Sequence, residues 1–225
     1  MSEQLKLIDE KIIFSLRSTP EEAKKTLHEL KQRGIVIGTD EAGRGALAGA
    51  VVAAAVYLTE EQEEKLLSMN LRDSKLMSES KREKLFTAMN ELKVLWRAFM
   101  TWPKIIDKEN ILRSSLNSMG ESVKRLSKVL DDEPFCVIVD GNSRINNINY
   151  PQWNLIQADK LIPVVSAASI VAKVLRDRLM KNYALRYPVY DFAKNKGYPT
   201  EFHIEAIKKF GISEIHRKTF CKKFT

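Results

Sequence analysis

The sequence predicts an α/β domain in which helices pack against a β-sheet. Of its 225 residues, 44% are hydrophobic and 29% are charged, a composition typical of a soluble chain with enough apolar side chains for a full core. Short apolar runs rich in β-branched residues are interspersed with segments of helical periodicity, which indicates a layered α/β arrangement. No internal repeat and no Pro, Gly or Ser-rich linker divides the chain, so one main domain is the simplest organisation.

The first 34 residues predict two helices. Their first apolar residues recur at helical spacing: Leu5, Ile8, Ile12 and Leu16. Thr19 and Glu22 have the spacing of a capping box, which indicates a second helix that ends near Gly34. We therefore expect a helical extension over residues 1–34, followed by the main domain over residues 35–225.

The main domain predicts strands and helices in turn. Four apolar runs indicate strands: IVIGTD (35–40), AVVAAAVYL (50–58), VLWRAFMTW (94–102) and FCVIVDG (135–141). Helices are indicated after the capping residue Ser78, through the apolar positions from Leu112 to Leu130, over residues 164–187, and from Thr200. The order of the strands and the number of antiparallel pairs stay open at this point.

The charge of the chain points to a polyanionic partner. The net charge is +8, and residues 160–225 contain fourteen Lys and Arg against five Asp and Glu, so all the excess positive charge is C-terminal. Such a basic surface favours nucleic acid, because each neutralised phosphate releases condensed counterions. The alternative from charge alone is a surface that merely keeps the protein in solution.

Several classes of protein are excluded. The longest apolar stretch, residues 46–58, is interrupted by Gly49 and is too short to cross a bilayer. Acidic residues among the first ten exclude a secretory signal. Two cysteines, Cys136 and Cys221, are too few for a disulfide scaffold or a four-cysteine zinc site, and they fit the reducing cytoplasm. We expect a cytoplasmic protein.

Carboxylates follow two of the predicted strands directly. IVIGTD ends at Asp40, with Glu41 next to it, and FCVIVD ends at Asp140. Open α/β sheets commonly build their sites at the carboxyl ends of strands, so these acids converge if the strands are neighbours. Because side chains alternate across a sheet, Asp40 and Glu41 face one site only if the strand stops or turns there, and Gly43 and Gly45 offer that turn. Any one of these acids alone is more often a solvated or capping residue.

Converging carboxylates indicate a metal. They repel one another unless a positive charge lies between them, and ligand sets made only of oxygen favour a hard cation such as Mg²⁺ or Mn²⁺. The neighbouring tripeptide Gly43, Arg44, Gly45 lacks the spacing and the Lys-Ser/Thr ending of a P-loop. It is an ordinary tight turn or a place where the backbone approaches a phosphate or a sugar.

The segment GTDEAGRGALAGAVVAAAVYL, which begins at Gly38, resembles the first signature of the type 2 ribonucleases H, specifically bacterial ribonuclease HII. Further similar segments follow in the family's order: DSKLMSESKREKL from Asp73, IDKENIL from Ile106, IVDGN from Ile138, VSAASIVAKVLRDRLM from Val165, NKGYPT from Asn195 and IHRKTF from Ile215. The related ribonuclease HIII group, with a different first motif and a larger extension, fits less well. The resemblance implies a ribonuclease H-like three-layer domain: a central mixed β-sheet flanked by helices, plus a helical C-terminal segment.

The resemblance also implies roles for individual residues. The family's four catalytic, metal-binding carboxylates fall on Asp40, Glu41, Asp140 and Asp159. Asp177 competes for the fourth place, but its neighbours Arg176 and Arg178 and the nearby Lys173 and Lys181 make it more simply an ion-pair residue on a helix surface. Substrate binding falls on four residues, with the turn near the 2′-hydroxyl and the tyrosine on the sugar after the cleaved position: Gly43, Arg44, Gly45 and Tyr198.

The chain departs from the family's pattern at a few positions. The family usually has proline at Ala46 and Ala50, a second lysine at Leu76, and HKGYGT where this chain has NKGYPT, with Asn195 and Pro199 as the differing residues. These departures concern the rigidity of turns and the contacts with substrate more than the metal ligands. Substrate preference is therefore open, whereas the reaction type is not affected.

The resemblance implies a metal-dependent endoribonuclease. It would cut the RNA strand of RNA/DNA hybrids and single ribonucleotides embedded in duplex DNA by a two-metal mechanism with Mn²⁺ or Mg²⁺, leaving a 5′-phosphate. The implied role is ribonucleotide removal from DNA, and we expect a monomer. Two alternatives remain: a non-catalytic RNA/DNA hybrid-binding protein, and a nucleotide-binding enzyme, which would lack a convincing phosphate-binding lysine.

Overall fold

The computed structural model describes residues 12–14, 17–71, 77–130 and 134–225. The described strands are β1 (Ile12–Phe14), β2 (Val36–Ala42), β3 (Val51–Tyr57), β4 (Leu95–Thr101), β5 (Cys136–Asp140) and β6 (Gln152–Leu155). The described helices are α1 (Pro20–Lys31), α2 (Glu60–Ser68), α3 (Glu79–Glu91), α4 (Pro103–Glu109), α5 (Ile111–Ser127), α6 (Ala158–Leu161), α7 (Pro163–Arg186), α8 (Phe192–Asn195), α9 (Glu201–Phe210) and α10 (Lys218–Cys221), with a 3-10 turn at Pro188–Tyr190.

The strands form one mixed sheet in the order β1-β6-β5-β2-β3-β4. The pairs β2·β3 and β3·β4 are antiparallel, whereas β1·β6, β6·β5 and β5·β2 are parallel. β2 and β5 are therefore parallel neighbours whose carboxyl ends, at Asp40 and Asp140, lie at the same edge of the sheet. The sequence predicts that Asp40 and Asp140 converge if their strands are neighbours, and the two strands are neighbours.

Helices cover both faces of the sheet. The long helix α7 lies over β2 and β3 on one face, and α5 lies over β3 and β4 on the other. Each interface has its own apolar core, the first centred on residues such as Val36, Ala54 and Ile138, the second on residues such as Ile37 and Ala53. This arrangement confirms the predicted three-layer α/β domain with a central mixed sheet.

Gly38 allows α7 to approach the sheet closely. A Cβ atom at this position would lie 2.6 Å from the backbone carbon of Val164 and 2.7 Å from the backbone nitrogen of Val165. Since backbone atoms cannot move aside, only glycine permits this contact between the centre of β2 and the start of α7. The contact fixes α7 relative to the end of β2.

The C-terminal segment is helical, as predicted, and has its own buried cluster. It joins the segment after β2 to the last three helices and to the end of α7, through Leu47, Ala48, Met180, Tyr190, Phe192, Ala206, Ile207, Ile215 and Cys221. Tyr183 and Tyr187 pack against this cluster. Cys221 and Cys136 are both buried free thiols, in agreement with the exclusion of a disulfide scaffold.

The predicted first helix is wrong where the structure describes it. Residues Ile12–Phe14 form β1, which pairs in parallel with β6; the other residues of that predicted helix lie outside the described ranges. Three consecutive β-branched or aromatic residues suit a strand, and hydrogen bonding to the open edge of β6 outweighs a helical spacing of only four apolar residues.

The second predicted helix is confirmed as α1. Thr19 and Glu22 form the predicted capping box, and the helix ends at Lys31, before Gly34. Ala23, Leu27 and Leu30 of α1 are buried in the same core as α7. Within the described residues, no helix is long and apolar enough to cross a membrane.

Candidate active site

Three aspartates meet at the carboxyl edge of the sheet. Carboxylate oxygens of Asp40, Asp140 and Asp159 all lie within 4.8 Å of one another. Asp40 and Asp159 are buried, and Asp140 is half-buried. A set of carboxylate oxygens this close together suits a hard divalent cation, so the donor atoms fit the metal that the sequence predicts.

The sheet positions Asp40 and Asp140. In the antiparallel pair, Asp40 lies opposite Ala54, whose side chain belongs to the core under α7. Asp140 follows Ile138 by two residues on β5, and Ile138 belongs to the same core. Because residues two apart on a strand share a face, both aspartates project on the α7 side.

Asp159 reaches this face from a short helix. Gln157 adopts a left-handed backbone conformation (φ 62°) and turns the chain from β6 into α6. The N–H of Ala158 donates to Oδ1 of Asp140 at 2.8 Å, which attaches the start of α6 to β5. The hydroxyl of Ser166 donates to the carbonyl of Asp159 at 2.6 Å. These contacts from β5 and α7 fix the backbone that carries Asp159.

Glu41 does not join the three aspartates. β2 continues through Ala42, so Glu41 projects on the opposite face from Asp40, where it lies opposite Ala53 of the core under α5. The condition for Asp40 and Glu41 to share a face of β2 is not met, because the turn begins only after Ala42. A metal-binding role for Glu41 stays a prediction. Glu41 instead lines a small cleft with Arg44, Asp140 and side chains of α5. Asp140 is therefore the acid next to both faces.

Asp177 lies apart from the three aspartates, in ion pairs. Its carboxylate is 2.6 Å from Nζ of Lys173, one turn away on α7, and 3.4 Å from Nη2 of Arg82 on α3. The prediction of an ion-pair residue is confirmed, but Asp177 is buried and not on the helix surface. Lys181 pairs with Glu79 instead.

The two glycines of the turn differ in what the protein requires of them. Gly43 has φ +100°, and a Cβ atom there would lie 2.0 Å from Nε of Arg176, so packing within the protein requires glycine. Gly45 is exposed, and a Cβ atom there would have no heavy atom within 4 Å. The fold therefore gives no steric reason for glycine at 45.

Arg44 lies between the two glycines and points away from the core. Half of its side chain is exposed, and Nη1 lies 3.4 Å from Oε1 of Glu41. This long, exposed ion pair contributes little stability. The guanidinium is accessible from solvent at the edge of the acidic cluster.

Two buried arginines hold the turn and the segment that follows it, and the sequence pattern did not single them out for this role. Arg217 donates to the carbonyls of Gly43, Arg44 and Gly49. Arg176 donates to the carbonyls of Ala48, Ala50 and Lys196. Their only sequence signal was membership of the segments around Val165 and Ile215 that resemble the family.

Burial of these guanidinium groups has an electrostatic cost. Burial, and then repulsion by the Arg176 guanidinium, lower the pKa of Arg217 to about 9. Burial likewise lowers the pKa of Arg176. The hydrogen bonds to carbonyl oxygens compensate, since buried charges need fixed dipoles in place of water. The turn is therefore held by strong, charge-assisted hydrogen bonds.

Arg176 lies between Tyr198 and the turn. Its half-buried ring is 5.0 Å from the guanidinium carbon of Arg176 and 5.6 Å from Nζ of Lys173. The carbonyl of the preceding Gly197 accepts hydrogen bonds from the N–H groups of Leu47 and Ala48. Substrate residues implied by the resemblance thus lie on two segments that share hydrogen bonds.

The structure gives Ala46 and Asn195, two of the departures, specific hydrogen bonds. The N–H of Ala46 donates to the carbonyl of Gly43 at 3.4 Å, a contact that proline could not make. The buried amide of Asn195 accepts from the N–H of Gly197 and donates to the carbonyl of Tyr190. Asn195 therefore supports the loop that carries Tyr198. Leu76 lies outside the described residues.

Comparisons with known proteins agree on one family. A model of the ribonuclease HII family matches residues 37–223. A ribonuclease HII of Ruminiclostridium cellulolyticum is 44% identical over 84% of this chain and 71% of its own length; one of Fusobacterium nucleatum is 44% identical over 88% and 90%. The crystal structure of a ribonuclease H2 from Pyrococcus horikoshii superposes with a TM-score of 0.64 at 27% identity, covering 84% of this chain and 96% of that one.

Proposed function

Because the chain belongs to the ribonuclease HII family and is therefore a nuclease of the ribonuclease H type, we propose that it hydrolyses the RNA strand of RNA/DNA hybrids and cuts at single ribonucleotides embedded in duplex DNA. The observation that carries this proposal is the convergence of Asp40, Asp140 and Asp159 within 4.8 Å, beside a glycine turn whose Gly45 is open to solvent. The products are a 3′-hydroxyl and a 5′-phosphate. The cellular role is removal of ribonucleotides from DNA.

Four carboxylates hold the metal in this proposal. Asp40, Asp140 and Asp159 supply the ligands on the α7 face, and Glu41 supplies one from the cleft that it shares with Asp140. A pair of Mg²⁺ or Mn²⁺ ions, when bound, supplies Lewis acidity for activating water and for stabilising the leaving 3′ oxygen. Asp40, the buried acid on the central strand β2, would hold the metal together with Asp140 and Asp159.

The turn and Tyr198 recognise the ribonucleotide in this proposal. Backbone groups from Gly43 to Gly45 approach the 2′-hydroxyl, the group that distinguishes RNA from DNA. Arg44, exposed at the edge of the acidic cluster, contacts a neighbouring phosphate. Tyr198 packs on the sugar that follows the cleaved position. Arg217 keeps the turn in place through the carbonyls of Gly43 and Arg44, and Arg176 holds the segment that follows it through the carbonyls of Ala48 and Ala50.

The proposal is tested by cleavage of end-labelled duplexes that contain no, one or several ribonucleotides, with Mg²⁺, Mn²⁺ or chelator. We expect cuts only next to ribonucleotides and only with metal. Asp40→Asn and Asp140→Asn should each lower the rate by at least about a hundredfold while the protein stays folded, because each removes charge from the metal ligands. Asp191→Asn, which makes the same chemical change at a half-buried residue outside the group of three aspartates, is the matched control.

The main competing function is a non-catalytic RNA/DNA hybrid-binding protein. It predicts hybrid binding that chelation does not change, with no cleavage at any metal concentration. The acids argue against it, because a surface that binds phosphates gains nothing from the buried carboxylates of Asp40 and Asp159. Near wild-type cleavage by a folded Asp40→Asn variant would show that the site is misplaced.

A further inference from the structure

Two buried histidines lie under the loop that carries Tyr198. Nε2 of His203, on α9, is 3.0 Å from Nε2 of His216, just before α10. On its other side, Nδ1 of His203 is 2.9 Å from the carbonyl oxygen of Tyr198. Nδ1 of His216 is 2.9 Å from the backbone nitrogen of Ser213 and 2.8 Å from the hydroxyl oxygen of the same residue.

The partners of this pair fix the position of every proton. The carbonyl of Tyr198 can only accept, so His203 carries its proton on Nδ1 and presents Nε2 as an acceptor. The N–H of Ser213 can only donate, so Nδ1 of His216 accepts and its proton lies on Nε2. The Nε2–H of His216 then donates to Nε2 of His203, and both rings are neutral.

The series of hydrogen bonds ends on the loop that carries Tyr198. Ser213, His216 and His203 form a continuous series that terminates at the backbone of Tyr198. His216 is followed directly by Arg217, which holds the carbonyls of Gly43 and Arg44. The adjacent residues His216 and Arg217 thus connect to both segments that are proposed to bind the ribonucleotide: the loop that carries Tyr198 and the Gly43–Gly45 turn.

Packing alone would not require histidines here. The two rings contact the aromatic rings of Tyr190 and Phe192, and apolar side chains would fill such a space without the cost of burying polar nitrogens. Burial lowers the pKa of both His203 and His216, in keeping with neutral rings. The polar pair is explained if its directed hydrogen bonds serve to orient the loop.

We propose that His203 and His216 are positioning residues that set Tyr198 relative to the Gly43–Gly45 turn and thereby control the preference for a single embedded ribonucleotide over a long hybrid. On a long hybrid, many registers offer a cleavable bond, so a misplaced Tyr198 costs less there. The inference rests on the proposed function, in which Tyr198 packs on the sugar beyond the scissile phosphate.

The test compares two substitutions at one position. In His203→Asn, the amide reaches the place of Nδ1 and retains the hydrogen bond to the Tyr198 carbonyl, whereas in His203→Gln the amide extends toward His216 and abandons that carbonyl. The readout is the ratio of cleavage rates on the embedded ribonucleotide and on the long hybrid. We expect this ratio to fall about tenfold in His203→Gln, and much less in His203→Asn.

Purely structural damage would behave differently. Asn is smaller than Gln, so His203→Asn leaves the larger void and should lower the melting temperature more. If the ratio of cleavage rates also falls more in His203→Asn than in His203→Gln, the inference is overturned. In a Tyr198→Ala background, His203→Gln should have no further effect on the ratio. An undiminished effect there also overturns it.

Tyr198→Ala by itself separates the two proposals. If Tyr198→Ala lowers the ratio and His203→Gln does not, the role of the histidines is wrong and that of Tyr198 stands. If Tyr198→Ala leaves the ratio unchanged, Tyr198 does not recognise the ribonucleotide and the inference falls with it, while cleavage by the carboxylates is unaffected. The inference is supported if Tyr198→Ala and His203→Gln each lower the ratio and their combination lowers it no further than Tyr198→Ala alone.

Discussion

At the scale of single residues, Asp159 and Asp177 are the two acids whose roles need to be separated. Asp159 lies with Asp40 and Asp140, whereas Asp177 pairs with Lys173 and Arg82. We expect Asp159→Asn to lower the cleavage rate by at least about a hundredfold with little loss of stability. Asp177→Asn should retain most activity but lose on the order of 2 kcal/mol of stability, because a buried cation loses its partner.

Single-turnover cleavage and thermal unfolding of the two variants check this prediction. The two substitutions make the same chemical change, so each serves as the control for the other. If the folded Asp177→Asn protein is inactive and the Asp159→Asn protein is active, Asp177 and not Asp159 is the fourth acid of the active site.

A second residue-scale prediction concerns pH. Burial, and then repulsion by His203, lower the pKa of His216 from 6.5 to about 4. The unfolded chain therefore takes up a proton at this residue before the folded protein does. Its contribution to stability is complete above pH 6.5 and is lost as the pH falls toward 4, by roughly 3 kcal/mol.

Urea unfolding between pH 4 and 7 measures this dependence. His216→Gln should flatten the curve in that window, since no group titrates at 216. The exposed His28 of α1 provides the matched control, and His28→Gln should leave the curve unchanged. Equal pH dependence in wild type and His216→Gln would contradict the prediction.

At the scale of secondary-structure elements, the contact between α7 and β2 predicts different outcomes at two glycines. Gly38→Ala places a Cβ atom 2.6 Å from the backbone of Val164, so α7 must move and we expect a loss of about 1–3 kcal/mol. Gly45→Ala meets no protein atom within 4 Å and should leave stability unchanged. It should nevertheless slow cleavage if substrate approaches the backbone there.

Thermal unfolding and cleavage of both variants, measured side by side, check this pair. The result that would count against a substrate contact at Gly45 is wild-type cleavage by Gly45→Ala on every duplex. A Gly38→Ala variant as stable as wild type would mean that α7 can shift without cost, and the site geometry would then depend less on this contact than we infer.

At the scale of the whole molecule, the basic C-terminal region predicts a salt-dependent affinity. Truncation after Gly197 would also remove Arg217 and buried residues such as Ile207 and Ile215, so substitutions of exposed lysines are the cleaner test. Lys208→Gln combined with Lys209→Gln should weaken duplex binding and reduce the slope of log affinity against log salt by up to about 2, if each lysine contacts one phosphate.

Binding titrations at several salt concentrations, in chelator so that no cleavage occurs, measure the slope. Lys24→Gln combined with Lys25→Gln removes the same charge from the exposed surface of α1 and should leave the slope unchanged. The same slope in both double variants would show that the positive charge of α9 faces away from the nucleic acid.

The sequence by itself determined most of the elements and the acids at the strand ends. The caps at Thr19, Ser78 and Thr200 lie where predicted, because a cap depends on residues only three positions apart. Asp40 and Asp140 were predicted for the same reason: each follows an apolar run directly. The resemblance to the family added Asp159, which has no local periodic signal.

Only the tertiary structure decided which elements meet and which face each acid takes. β1 could not be distinguished from a helix because its strand exists through pairing with β6, more than a hundred residues away. Glu41 lies on the other face because β2 continues past it. Arg217 holds the carbonyl of Gly43 across 174 positions of sequence, since a buried charge takes whatever acceptors the fold brings to it, and no local pattern records that choice.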